Sequence, residues 1–288
     1  MRLALLGCGL IGGSAAAAWR ASGTVSEVLA FDRDPAAAAD TVSLGIADRV
    51  ADTPAQAVRD ADLVLLAVPV GAMGAVMASC AHALPEHAWI TDVGSTKGSV
   101  IAAARSALGA ALPRFVPGHP IAGGELPGVA HARAGLFERK LFIATPLEAT
   151  APAALEAVEA LWRAAGARVL RMDCAEHDAI FAAVSHLPHL LAFALVARIA
   201  SEPDGEHKLE FAGAGFRDFT RIAASSPEMW RDVCLANREA IAAELAGYRA
   251  LLDELQGALD QGNAARLEAV FELASRTRRR FGAAFDAE

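Results

Sequence analysis

The sequence predicts an α/β protein in which a doubly wound, mostly parallel sheet is followed by an all-helical domain. Strand-like runs alternate with helical stretches, the strands stop after about Asp173, and residues 176–288 contain helical stretches only. The strands lack a clear apolar–polar alternation, as expected for strands that are buried on both faces. We therefore place the two domains at residues 1–172 and 173–288.

Each predicted element is one short run in the alternating series. The strands cover residues 2–6, 28–31, 63–68, 88–91, 114–116, 141–144 and 168–171. The helices between them cover residues 13–21, 35–44, 54–59, 72–83, 98–108 and 153–165. In the helical part, the apolar stretch 190–199 exceeds what one small helical layer buries. We expect a homodimer interface there.

Composition excludes several classes of function. With 26 Lys and Arg against 34 Asp and Glu, the formal net charge is −8, so we expect no nucleic-acid partner. The four cysteines have no metal or redox spacing and fit a reducing compartment, which predicts a cytoplasmic protein. Residues 3–19, 63–84 and 179–197 are apolar enough to suggest membrane spans. Glycine, proline or histidine interrupts each one, so no membrane segment is expected.

The segment at residues 3–14, LALLGCGLIGGS, fits either an export signal or a strand that enters a nucleotide-binding turn. Its apolar run before Gly7 has four residues, whereas a signal needs roughly 7–15. Gly7, Gly9 and Gly12 form Gly-x-Gly-x-x-Gly between a strand and an Ala-rich helix. This arrangement holds a dinucleotide pyrophosphate at the helix N-terminus. The pattern predicts a Rossmann-type domain.

An acidic residue follows the second strand at the position typical of a ribose contact. Asp32 lies 20 residues after Gly12 and would bind the adenine ribose hydroxyls, which favours NAD over NADP. Arg33 could stack on adenine or accept a 2′-phosphate, so NADP remains possible. Alternatively, Asp32 caps a turn with Asp34 and Pro35. The other predicted cofactor contacts are Leu10, Ile11, Val68 and Pro69.

Two polar segments follow predicted strands, where a doubly wound sheet opens its ligand crevice. Ser95 is placed to bond a substrate or nicotinamide group, although it could instead cap the next helix. His119, held between Gly118 and Pro120, suits proton transfer from an alcohol that loses hydride. Glu125, six residues on, could be a gate or an ion-pair partner.

Two further polar clusters lie in the helical part. His177 and Asp178 precede His186 and His189, two imidazoles that share a helical face beside a predicted kink at Pro188. A metal site is the alternative for these imidazoles, but no third ligand has motif spacing, so no metal is predicted.

The second cluster is a glycine-rich segment at residues 213–221. It contains Arg217, Asp218 and Arg221, and Arg221 could clamp a carboxylate in bidentate fashion. A structural Arg–Asp pair is the alternative, more so for Arg217 than for Arg221.

Five motifs, in order between residue 5 and about 240, make the chain similar to the prephenate/arogenate (cyclohexadienyl) dehydrogenase family. They are GLIGGS, DVGSxK, GHPIAGxE, HD…SHLPH and GFRDFTRIA. The resemblance implies a Rossmann domain with a helical dimerisation domain. It also implies NAD(P)-dependent oxidative decarboxylation in tyrosine biosynthesis, of prephenate to 4-hydroxyphenylpyruvate or of arogenate to tyrosine.

Matched by position, the resemblance implies that His119 is the catalytic histidine at the ring C4 hydroxyl and that Ser95 lies beside that hydroxyl and the nicotinamide. It implies that His189 lies in the substrate site and that Arg221 binds a substrate carboxylate. Glu125, Arg217 and Asp218 match polar residues at the entrance. Pro127 stands where the family usually has Ser in Glu-x-Ser-Gly.

Two other functions are compatible with parts of the sequence. A different NAD(P)-dependent hydroxyacid dehydrogenase with a helical C-terminal domain would release no CO₂ and form no phenol. A catalytically silent dinucleotide-sensing module would need the glycine turn but not the His and Arg clusters, so those clusters favour an enzyme.

Overall fold

The computed structural model describes residues 1–124 and 126–286, without the side chains of residues 281 and 283–286. Its contacts form two compact units, residues 1–238 and residues 239–288. The first unit holds both sheets and the helices that follow them. The second consists of two long helices.

Two separate sheets lie in the first unit. The strands are β1 (Arg2–Leu6), β2 (Glu27–Phe31), β3 (Arg49–Val50), β4 (Leu63–Leu66), β5 (Trp89–Asp92), β6 (Phe115–Val116), β7 (Gly118–Pro120), β8 (Leu141–Ala144) and β9 (Arg168–Arg171). The first sheet is parallel, in the order β3-β2-β1-β4-β5-β6. Its order reverses between β1 and β4, which is where such sheets bind ligands at their carboxyl ends.

The second sheet has the order β7-β8-β9. In it, β7 pairs antiparallel with β8, and β9 pairs parallel with β8. His119 lies opposite Ile143 in this register. Because only Pro117 separates the end of β6 from the start of β7, His119 stays near the carboxyl edge of the first sheet.

The helices lie between the strands and then follow one another to residue 286. They are α1 (Leu10–Ala21), α2 (Pro35–Ser43), α3 (Pro54–Val58), α4 (Val70–Cys80), α5 (Gly98–Ala107), α6 (Pro152–Ala164), α7 (Cys174–Phe181), α8 (Leu187–Ala200), α9 (Gly205–Glu210), α10 (Ala214–Thr220), α11 (Pro227–Ala236), α12 (Arg238–Asp260) and α13 (Ala264–Asp286). Local sequence explains several starts: Asp34 and Thr53 cap α2 and α3, and proline occupies the first turn of both.

The core covers both faces of the first sheet. Along β1, Leu3 and Leu5 pack into one cluster while Ala4 and Leu6 pack into the other. Burying one such leucine contributes about 1.5–3 kcal/mol. The prediction of a mostly parallel, doubly wound α/β fold followed by helices is therefore confirmed.

Two strands, β3 and β7, were not predicted from the sequence. The two-residue β3 is too short for a periodic signal, and β7 is Gly-His-Pro, a composition typical of a loop. The predicted runs at 141–144 and 168–171 do form strands, but they belong to the second sheet and not to the first.

A π-helical segment, Ala182–His186, joins α7 to α8, and Pro188 lies in the first turn of α8. The predicted irregularity therefore takes the form of a π-turn, a feature often found at functional sites. Within the described residues, the run Cys174–Ala200 is long and apolar enough to cross a membrane, and an 18-residue window of it has a mean hydropathy of 1.9. The same run supplies polar side chains to the site described below.

Candidate active site

The glycine turn between β1 and α1 has the geometry of an anion site. Gly7 has φ +108°, and a Cβ there would lie 2.5 Å from the Ala67 backbone. A Cβ on Gly12 would lie 2.5 Å from the Gly7 carbonyl oxygen, so strand and helix meet through glycine. A Cβ on Gly9 would meet nothing within 4 Å, and no side chain caps α1. The turn therefore leaves open space and uncapped N–H groups where a phosphate would bind.

Asp32 accepts hydrogen bonds from the glycine turn and from its own turn before α2. Its Oδ2 accepts from the Cys8 N–H at 2.7 Å and its Oδ1 accepts from the Asp34 N–H at 2.9 Å. The turn contact expected as an alternative is thus present, together with a link to the glycine turn. Arg33 is exposed, and its guanidinium lies 3.4 Å from the carboxylate of Glu228.

The other predicted cofactor residues flank the same turn. Leu10 and Ile11 begin α1, and Val68 and Pro69 follow β4, with Pro69 at the N-cap of α4. All four lie at the carboxyl edge of the central strands.

A buried ion pair joins the end of β5 to the start of β7. Lys97 Nζ lies 2.5 Å from Asp92 Oδ2 and donates to the Gly118 carbonyl oxygen at 2.6 Å. Both charged side chains have no exposed surface. Asp92 also accepts from the N–H groups of Gly94 and Gly118. These bonds fix the backbone immediately before His119.

His119 is partly buried on β7 and contacts side chains from α7. Its Nδ1 lies 2.9 Å from Nε2 of His177, and its ring centroid is 4.8 Å from that of Phe181. Burial, together with the charges of His177, Lys97 and His186, holds the pKa of His119 well below 6.5. The ring is therefore neutral near pH 7 and can accept a proton.

Asp178 connects α7 to the loop that carries Ser95. Its Oδ1 lies 2.8 Å from His177 Nδ1 and accepts from the Lys97 N–H, while its Oδ2 accepts from the Gly98 N–H. Asp178 thus binds the N-terminus of α5, whose N-cap residue is Lys97. The expected alternative, a Ser95 N-cap, is not what the structure shows.

His186 and His189 both contact the ring of Trp230. His189 stacks on its ring at 3.6 Å, and His186 makes an edge contact at 6.2 Å. Asn237 lies 3.1 Å from His186 Nδ1. Among the described residues, Nε2 of His186 and Nε1 of Trp230 are buried without a hydrogen-bond partner. Unsatisfied polar groups of this kind are candidates for contact with a ligand.

Burial lowers the pKa of both histidines. The pKa of His186 falls to about 4, against the opposing effect of the nearby Asp178 charge. The pKa of His189 is lowered by burial and by the positive charge of Arg221, against its bond to the Ser185 carbonyl oxygen. Arg221 thus lies within electrostatic range of His189, in a segment that directly follows α10.

The structure brings some predicted residues together and separates others. His119, His186, His189 and Arg221 form a series of electrostatic neighbours. Arg217 and Asp218 are exposed on α10, and no described contact connects them to this series. Glu125 lies outside the described residues. Within those residues, no cluster of three metal-ligating side chains occurs.

Sequence reasoning assigned no role to Lys97, Asp92, Asp178, Asn237 or Trp230. Asp92 and Lys97 were visible in the motif after β5, but their burial against each other depends on the loop path. The contact of Asp178 with Lys97 joins residues 81 positions apart, and that of Asn237 with His186 joins residues 51 positions apart, so only the folded chain reveals them.

Comparison with known proteins places both halves of the chain in one group. The family model for the prephenate dehydrogenase nucleotide-binding domain matches residues 15–171, and the model for the prephenate dehydrogenase dimerization domain matches residues 173–273. The prephenate dehydrogenase of Bacillus subtilis is 36% identical over 273 residues, covering 94% of this chain and 73% of that protein.

Two more relatives extend the comparison. The cyclohexadienyl dehydrogenase of Zymomonas mobilis is 37% identical over 259 residues, covering 89% of this chain and 88% of that protein. The crystal structure of Aquifex aeolicus prephenate dehydrogenase, in complex with hydroxyphenyl propionate and NAD⁺, superposes with a TM-score of 0.91. It is 34% identical, and the match covers 98% of each chain.

Proposed function

The chain belongs to the prephenate dehydrogenase family, and from that premise we propose that it catalyses the NAD-dependent oxidative decarboxylation of prephenate, arogenate or both. The observation that carries the assignment is His119. It is a neutral, partly exposed imidazole at the carboxyl edge of the sheet, next to the segment that holds Ser95. The product is 4-hydroxyphenylpyruvate from prephenate or tyrosine from arogenate.

NAD⁺, when bound, accepts the hydride from the substrate C4 carbon. The residues present fit this cofactor: the open position at Gly9 and the uncapped start of α1 suit the pyrophosphate. Asp32 suits the ribose hydroxyls, and its negative charge disfavours the 2′-phosphate of NADP.

His119 takes the proton from the C4 hydroxyl as the hydride leaves. Its low pKa keeps the ring unprotonated and ready to act as a base at neutral pH. Ser95 donates a hydrogen bond at the same hydroxyl. The C1 carboxylate leaves as CO₂, and the electron pair of the broken C1–carboxylate bond completes the aromatic ring. The phenolate oxygen takes back the proton from His119, which restores the neutral base, and aromatisation makes the step irreversible.

The substrate carboxylate is bound by Arg221, and His189 lines the same pocket against Trp230. Their proximity, seen in the effect of the Arg221 charge on the pKa of His189, supports this assignment. Arg217, Asp218 and Glu125 act at the entrance. The protein positions and polarises the substrate, while the cofactor and the ring supply the chemistry.

The enzyme acts in the cytoplasm as a homodimer, with the domain boundary at residues 172/173. Exposed apolar side chains on the long helices support self-association: Leu259 is 62% exposed, and Phe271 and Leu273 are 59% and 63% exposed.

Product analysis tests the assignment. Purified protein is incubated with NAD⁺ and either prephenate or arogenate, while CO₂, NADH and the phenolic product are measured. Equimolar CO₂, NADH and phenol are expected with at least one substrate. NADH formed without CO₂ would instead identify a hydroxyacid dehydrogenase of another kind.

A further inference from the structure

The structure places His177 and Asp178 behind the proposed base, where they touch neither the glycine turn nor Arg221 in any described contact. We propose that these two side chains are positioning residues that hold neutral His119 in the Nδ1–H tautomer, so that its Nε2 carries the lone pair. This inference rests on the proposed role of His119. It assigns the function of two residues that line up behind that ring.

The order of hydrogen bonds follows from Asp178. Its Oδ1 also accepts from the Lys97 N–H and its Oδ2 accepts from the Gly98 N–H. These bonds, together with His177, keep the pKa of Asp178 below its ordinary value of 3.8 although burial opposes the shift. An ionised carboxylate only accepts hydrogen bonds. His177 Nδ1, 2.8 Å away, must therefore carry a hydrogen atom.

The next bond in the series has one possible direction when His177 is neutral. With its hydrogen on Nδ1, His177 has a lone pair on Nε2, and that atom lies 2.9 Å from His119 Nδ1. One hydrogen atom must lie between the two nitrogens. His119 Nδ1 therefore donates, and the lone pair of His119 is on Nε2.

The two rings are held rigidly in this arrangement. His177 has no exposed surface, and its ring lies 4.5 Å from Phe181, whose ring also contacts His119. On the β7 side, the Phe142 ring packs directly against the backbone of Gly118, so closely that a Cβ on Gly118 would lie 2.1 Å from that ring. The fixed backbone and the fixed α7 thus set both the position and the orientation of the imidazole.

This arrangement balances the proton transfer. The substrate O–H bond breaks and a bond from that hydrogen to His119 Nε2 forms, while the Nδ1–H stays bonded to His177. The new positive charge on His119 is partly neutralised through His177 by the Asp178 carboxylate, in the way that a buried carboxylate orients and stabilises a catalytic imidazole elsewhere.

The charged and titratable groups that face His119 are known from each neighbouring element. His177 comes from α7, Lys97 from the loop after β5, and His186 from the π-turn. Burial and these three neighbours together hold the pKa of His119 well below 6.5, so the ring is neutral at the pH where its tautomer is measured.

Three variants separate positioning from packing. His177→Gln keeps an acceptor near Nε2, whereas His177→Leu removes it. Phe181→Leu is the packing comparison, because Phe181 contacts both rings without a hydrogen bond. We expect kcat to fall about 10- to 100-fold in His177→Leu and to recover by a large part in His177→Gln, whereas Phe181→Leu should lower kcat without changing the tautomer of His119.

The deciding measurement is ¹⁵N NMR of histidine-labelled protein above pH 7, with the His119 signals assigned by their loss in His119→Asn. Wild type and Phe181→Leu should show a protonated Nδ1 and an unprotonated Nε2, and His177→Leu a mixture of tautomers. An Nε2–H tautomer in the wild type would overturn the proposal. This measurement needs no substrate, so wild-type protein without dehydrogenase activity would contradict the proposed function alone.

Discussion

The buried Lys97–Asp92 pair gives a prediction whose size follows from the structure. Replacing Lys97 by Met removes the cation but leaves the Asp92 carboxylate fully buried, with two N–H donors from Gly94 and Gly118. Breaking one side of a buried pair costs about 3–5 kcal/mol. A domain has roughly 5–15 kcal/mol in total, so the variant should fold but with a large loss of stability.

Urea unfolding followed by tryptophan fluorescence measures this loss. With an m-value near 3 kcal/mol/M, the midpoint of Lys97→Met should fall by about 1–2 M. The double variant Asp92→Asn with Lys97→Met removes the unpaired charge and should recover at least half of the loss. A single-variant loss below about 1 kcal/mol, or a double variant no more stable than the single one, would refute the reasoning.

Three further predictions concern the cofactor, the substrate and pH. Gly9→Ala should change the free energy of unfolding by no more than about 0.5 kcal/mol, but it should weaken NAD⁺ binding measured by calorimetry. Gly12→Ala should lower the free energy of unfolding by about 1–3 kcal/mol, because the new Cβ would collide with the backbone. Arg221→Ala should raise KM in steady-state assays with little change in kcat; a normal KM would make this arginine structural. The pKa of His186 is lowered to about 4. Between pH 6.5 and pH 4 this imidazole therefore binds a proton in the unfolded protein but not in the folded protein. Acidification over that range should lower the free energy of unfolding by up to about 3 kcal/mol. A urea midpoint that is constant across that range would contradict this.

Functional residues could be predicted from the sequence where one continuous segment contains the whole motif. The glycine turn is such a case, since strand, glycines and helix are contiguous and Asp32 follows at a fixed distance. His119 was also identifiable, because an imidazole between Gly and Pro after a strand has little reason to be in the core. The five motifs supported a resemblance to a known family, and that resemblance in turn predicted the class of substrate.

Contacts between segments that are far apart in the sequence could not be predicted in this way. His119 and His177 are 58 positions apart, and their 2.9 Å contact depends on how α7 packs against α5. The sequence contained both imidazoles but no indication that they meet. The same holds for Asp178, which binds the start of α5 from 80 residues away.

The second sheet shows how tertiary pairing overrides local preference. Gly118–Pro120 has a loop-like composition, yet it is a strand because Gly118 allows Phe142 of β8 to pack directly against its backbone. The preference of a Gly-His-Pro segment for an irregular loop is therefore outweighed by pairing with a buried neighbour.

The most direct test of the account is the turnover of His119→Asn with the substrate that the wild type converts. Asparagine cannot take the C4 hydroxyl proton, so kcat should fall about 10²–10⁴-fold, while the affinity for NAD⁺, measured by calorimetry, should stay within a few-fold of wild type. Turnover equal to that of the wild type would contradict a catalytic role for this imidazole and, with it, the mechanism proposed for this site.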